Sequence, residues 1–163
     1  MAVQNKWVDA NVAAGDKGNV ANIMPGKIFG FACTFEVAAA DDDGSIYKLA
    51  KLGANLVPLQ LKVNNDAITA GTDYDLGLYK EDGVVADKDL FADGADLSSA
   101  HAMGSELDGL TNLGAENVGK CLYELLGLTV ATRTQDSYVL ALTANTVGTA
   151  AGTISVRGLF IQG

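Results

Sequence analysis

In "IFGFACTFEV", residues 28–37, Phe29, Phe31, Cys33, Phe35 and Val37 alternate with Gly30, Ala32, Thr34 and Glu36. A repeat of two puts alternate side chains on opposite faces of an extended chain, so the stretch predicts a half-buried β-strand. The text before it is different. Residues 1–26 mix Asn, Gly, Ala, Lys and Asp without a sustained period and read as an irregular amino-terminal arm, leaving residues 27–163 as one folded domain. After it the alternation returns. "AADDDGS" supplies a turn and "IYKLAKL" a second strand; beyond the "LGAN" break, "LVPLQLKV" sets Val57, Leu59, Leu61 and Val63 on one face. Pro58 has no N–H to give a ladder, which suits an edge or the start of that strand.

"TDYDLGLYKEDG", residues 72–83, holds Tyr74, Leu76 and Leu78 on one face and Asp75, Gly77 and Tyr79 on the other, with "EDG" as a turn. Residues 84–114 are acidic, Gly-rich and weakly periodic, and read as a long excursion with a short helix around 97–103. "AENVGKCLYELLGL" changes period: Val118, Cys121, Leu122, Leu125 and Leu126 follow helical spacing, and Gly127 is placed to stop the helix in a left-handed cap. "SYVLALTA" and "GTISVRGLFI" are two further strands, the latter with Ile154, Val156 and Phe160 on one face, and "NTVGTAAG" between them reads as a hairpin. The sum is a mainly β chain, an antiparallel β-sandwich with one short α-helix.

Composition excludes several kinds of function. The chain has 163 residues, 20 acids against 11 bases, and a formal net charge of −9. Its two arginines, Arg133 and Arg157, are far apart, and between Asp66 and Asp96 nine carboxylates face only Lys80 and Lys88. Nucleic acid and anionic membrane surfaces are repelled by such a distribution. "MAVQNKWVDANVAAGDKG" has no apolar core of a signal peptide, so synthesis and assembly in the cytoplasm are expected, with Cys33 and Cys121 as free, buried thiols.

The chemical readings are thin. Asp73 and Asp75 share a face by period two, as a catalytic pair must, yet both flank a turn where Asp commonly caps and meets solvent. The single histidine, His101, has no acid or nucleophile at a telling spacing. "DDDG" at 41–44 and "DKDLFADGAD" at 87–96 offer oxygen ligands without matching a calcium loop. No catalytic residue, metal ligand or cofactor is assigned. Trp7, with Val8, is the candidate partner contact, because an indole in a polar segment has to bury itself either on its own domain or on a partner.

"DYDLGLYKEDG" followed by "DLFADGADLSSA", and "LYELLGLTVATRTQDSYVLALTANTVGTAAGTISVRGLFI", resemble a pattern in small virion structural proteins of tailed bacteriophages, over roughly residues 27–162. The group includes capsid decoration, or cement, proteins with jelly-roll-type sandwiches. The resemblance implies a jelly-roll-like fold and a non-enzymatic protein on the outer capsid surface of the virion, bound to the major capsid protein. It also implies self-association, with a trimer at a symmetry axis as one form and sandwich edges meeting sister copies; the arm lies outside the resemblance, and its contact with the capsid is expected from Trp7 alone. Two other readings accompany it: a glycan-binding sandwich using Tyr74, Tyr79 and Tyr123, and a tail or head-fibre component.

Overall fold

A computed structural model describes residues 28–163. The expected arm, with Trp7 and Val8, lies outside these residues. Eight strands follow in order: β1 Ile28–Val37, β2 Ser45–Gly53, β3 Leu56–Asn65, β4 Asp73–Tyr79, β5 Val85–Ala95, β6 Leu107–Asp108, β7 Ser137–Thr146 and β8 Gly152–Gln162. They make two four-stranded sheets, β1-β8-β3-β6 and β2-β7-β4-β5. The antiparallel pairs are nested: the first strand with the last, the second with the seventh, the third with the sixth, the fourth with the fifth. Eight strands in two such sheets form a jelly roll, the sandwich expected from the sequence.

Alternation along the central strands builds the core. Ile154, Val156 and Phe160 of β8 share a face with Leu61 and Val63 of β3, Val63 directly opposite Val156 and Leu61 opposite Gly158, and all five are buried. From the other sheet come Tyr74, Leu76 and Leu78 of β4 with Tyr138, Leu140 and Leu142 of β7, also buried. Removing one such side chain from water contributes roughly 1.5–3 kcal/mol. The Tyr74 hydroxyl stays in this core by donating to the Val147 carbonyl at 2.7 Å. Burial, aided by the fields of Asp41 and Asp43, pushes its pKa up to about 12.

Five local expectations are corrected. A β-bulge between Pro58 and Gln60 shifts the β3 register, so Leu59 leaves the face shared by Leu61 and Val63 and is 51% exposed. Residues 84–114 are not one excursion, because they contain β5 and β6. No helix forms at 97–103; there Leu97 exchanges backbone hydrogen bonds with Gly71 and Ile68, and His101 bridges Asn65. The helix in "AENVGKCLYELLGL" shrinks to α1, Leu122–Leu125, preceded by a 3-10 turn at Ala115–Asn117. Gly119, at φ 87°, breaks the helical path and leaves Val118 exposed, whereas Gly127, at φ 72°, ends α1 as expected. "NTVGTAAG" is no hairpin, since β7 and β8 belong to different sheets and the segment crosses between them.

Candidate interaction surface

Each residue singled out for chemistry has a place in the fold. Asp75 is not at a solvated rim. It lies on the outer face of β4, where β5 crosses over it, and its side chain is 1% exposed. Lys88 Nζ donates to Asp75 Oδ2 at 2.8 Å, Asn145 Nδ2 donates to the same oxygen at 2.6 Å, and the Gly94 N–H reaches Oδ1 at 3.1 Å. Asn145 Nδ2 also donates to Asp73 Oδ1 at 2.9 Å, while Lys88 Nζ donates to Asn145 Oδ1 at 2.9 Å. Burial raises the Asp75 pKa, but the hydrogen bonds from Lys88, Asn145 and Gly94 outweigh it and hold the carboxyl below its ordinary value. A carboxylate with every oxygen engaged is a fastener rather than a base. It fixes β5 to the sheet.

The remaining acids serve turns and neighbouring strands. Asp41 Oδ2 accepts from the Ala38 N–H at 3.0 Å and from the Tyr47 hydroxyl at 2.8 Å, and Asp43 Oδ1 accepts from the Val147 N–H at 2.9 Å. Burial raises the Asp87 pKa, and the adjoining Asp89 carboxylate raises it further. Among the described residues no three His, Cys, Asp or Glu side chains converge as a metal site. His101 Nδ1 is 2.9 Å from Asn65 Oδ1 in a structural bridge between the end of β3 and the loop joining β5 to β6. Cys33 is half-buried and Cys121 is buried, both as free thiols. Of the tyrosines offered to a glycan, Tyr74 and Tyr79 are buried, the latter with its hydroxyl 2.6 Å from Thr143 Oγ1. Tyr123 is half-buried beneath the Arg133 guanidinium, 5.5 Å from the ring centre.

The outer face of the first sheet offers a candidate interaction surface. Ile28 opposes Ile161 and Gly30 opposes Leu159, whose side chain lies across the glycine, 3.3 Å from where a Cβ would stand. Ile28 and Leu159 are exposed, as is Leu59, expelled by the bulge next to Gln60, the register partner of Leu159. A groove of about 340 Å³ begins there, lined by Gly30, Ala32, Gln60, Arg157 and Leu159. It is followed by one of about 230 Å³ between Thr34, Asn64, Ser155 and the exposed Met103, and by one of about 240 Å³ beside His101 and Thr153. Two ion pairs lie along this face, Arg157 with Glu106 and Lys62 with Asp108 at 3.6 Å, and Glu36 of β1 adds one carboxylate. On a chain of net charge −9 this is a near-neutral face, apolar at one end. Leu59 was the signal missed in the sequence, since period two alone assigned it to the core.

No protein-family model and no curated protein matches the chain. Its structure is similar to a chain of the cyanophage Pam1 capsid asymmetric unit, with a TM-score of 0.53 and 10% identity over 100% of this chain and 93% of that one. It is likewise similar to a chain of the capsid of Ralstonia phage GP4, with a TM-score of 0.54 and 16% identity over 83% of this chain and 85% of that one. At such identities the likeness is one of fold, and these two structural neighbours are chains of phage capsids.

Proposed function

We propose that the chain is a structural protein of a phage virion, and within that class a capsid decoration protein that lies on the outer shell surface and cements neighbouring major capsid protein subunits. The observation that carries this reading is the match of the whole jelly roll to a capsid chain over nearly the full length of both. The near-neutral outer face of the first sheet supports it, because a shell contact has to desolvate without stranding charge. A protein that binds the assembled lattice and not its separated subunits stabilises the lattice by mass action. No catalytic step is needed for that role. Assembly follows in the host cytoplasm, with Trp7 and Val8 of the arm as an additional contact.

Capsids assembled without the protein supply the test. The purified chain is expected to co-sediment with them and to raise their disruption temperature. Replacing both Leu59 and Leu159 by Lys should leave the melting temperature of the free protein unchanged and weaken capsid binding at least tenfold. Deleting residues 1–20 should weaken it separately. Absence of the wild-type chain from the capsid pellet would remove the decoration reading; a variant that binds undiminished would remove the surface to which it belongs.

A further inference from the structure

Of the four edge strands among the described residues, three carry a device that blocks further pairing. β2 has Lys48 and Lys51 and a bulge between Lys48 and Ala50. β5 shifts register against β4 three times and carries Asp87, Asp89 and Asp93. β6 is only two residues long. Lysines, bulges, charges and shortness are how sheets avoid edge-to-edge association. β1 has none of these protections. It pairs with β8 over ten residues without a register shift and holds one charge, Glu36.

Its inner face is also incompletely covered. Phe29, Phe31, Cys33 and Phe35 share the face that Ile154, Val156 and Phe160 present from β8. Those three β8 residues are at most 1% exposed, whereas Phe29 is 42% exposed and Phe31, Cys33 and Phe35 are half-buried. The row looks out of the side of the sandwich where β1 and β2 are the edges, with Phe35 stacked on Tyr47 at 5.0 Å. Aromatic rings half in water along an unprotected edge need one more strand beside them.

We infer that this strand is β1 of a second copy, paired antiparallel about a twofold axis at Cys33. Residues directly opposite in an antiparallel pair share a face, so a sheet-preserving register requires paired numbers of even sum. With the axis at Cys33, Phe31 meets Phe35 of the second copy, Phe29 meets its Val37, and Ala32 meets its Thr34. Glu36 faces Gly30, so no carboxylates oppose one another, although each copy carries a net charge of −9. The acidic β5 edge gives two copies no such approach. The pairing is isologous and closes at two chains. It does not depend on shell binding, and shell binding does not depend on it.

Full-length protein tests this directly. Light scattering is expected to give twice the chain mass of 16.8 kDa. Copper-phenanthroline oxidation should crosslink the pair, with Cys33→Ser abolishing the crosslink and Cys121→Ser preserving it. Ala32 and Thr34 are exposed, so a double Glu variant and a double Lys variant at these positions keep the fold. Each should dissociate about tenfold more readily, and mixing the two should restore the pair. A wild-type monomer at tens of micromolar, a particle of three chains, or a dimer indifferent to these charges overturns the inference. So does a monomer whose β1 amides resist exchange, which would assign the edge to the chain's own residues 1–27.

Discussion

Gly77 is where two strands come closest. A Cβ built on it would lie 2.2 Å from the Asp87 carbonyl oxygen and 2.4 Å from that of Lys88, so β5 passes directly over the β4 backbone. Gly77→Ala has no side-chain tip to move aside, and is expected to cost about 3 kcal/mol and to loosen β5, read as a lower melting temperature and faster amide exchange at residues 85–95. Asp75 holds the same crossing by charge. Its lowered pKa means that its stabilisation is complete above the ordinary carboxylate value of about 4 and is lost as pH falls below it. Wild type should therefore lose stability more steeply than Asp75→Asn in acid titrations below about pH 4. Asp75→Ala, which strands Lys88, Asn145 and the Gly94 N–H, should cost roughly 2–3 kcal/mol at neutral pH. Asp87 has the opposite sign. Its raised pKa means that its charged form opposes folding at pH 7, so Asp87→Asn should raise the melting temperature slightly. Period two correctly put Asp75 and Gly77 on the face opposite Leu76. What covers that face was illegible, because it comes from a strand that the sequence hides.

That strand, β5, shows why some elements were readable and others were not. β1 and β8 pair with each other without a shift, and the bulges met by β8 and by β7 from Ser137 to Ala144 place the extra residue in β3 and β2, so the alternation of β1, β7 and β8 survives in the text. β5 slips against β4 between each successive pair of partners, which scrambles period two and makes a paired strand look like an acidic loop. β3 is an intermediate case. One bulge moved Leu59 to the surface while Leu61 and Val63 kept the expected face. α1 fails for another reason: helical spacing from Val118 to Leu126 is real, but Gly119 in the left-handed region divides it into a 3-10 turn and a single α-turn. Gly127 carries the chain out of α1, with its N–H donating to the Glu124 carbonyl at 2.9 Å. Gly127→Ala should cost about 1 kcal/mol, measured by denaturant titration, since Ala resists a φ of 72°.

The nested order of strands governs the molecule as a whole. The sandwich was legible from alternation, but no residue records which strand pairs with which, and the jelly-roll order entered the sequence reading only through resemblance. Its nesting makes β8 indispensable: it lies between β1 and β3, and Phe160, Val156 and Ile154 come from it. A chain lacking residues 152–163 is expected to lose cooperative unfolding in circular dichroism rather than to fold into a smaller domain. Pairs this distant in sequence also place folding in the slow range of roughly milliseconds to seconds, measurable by stopped-flow refolding. The same arrangement sets how the sandwich meets mechanical load. Ile28 and Ile161 are register partners, so pulling on the outer ends of β1 and β8 strains one rung at a time. Such a seam unzips under modest tension, whereas force spread over the sheet face is shared by many rungs together. A clamp built on this fold resists a swelling surface when gripped by its broad side, and gives way when tethered by its ends.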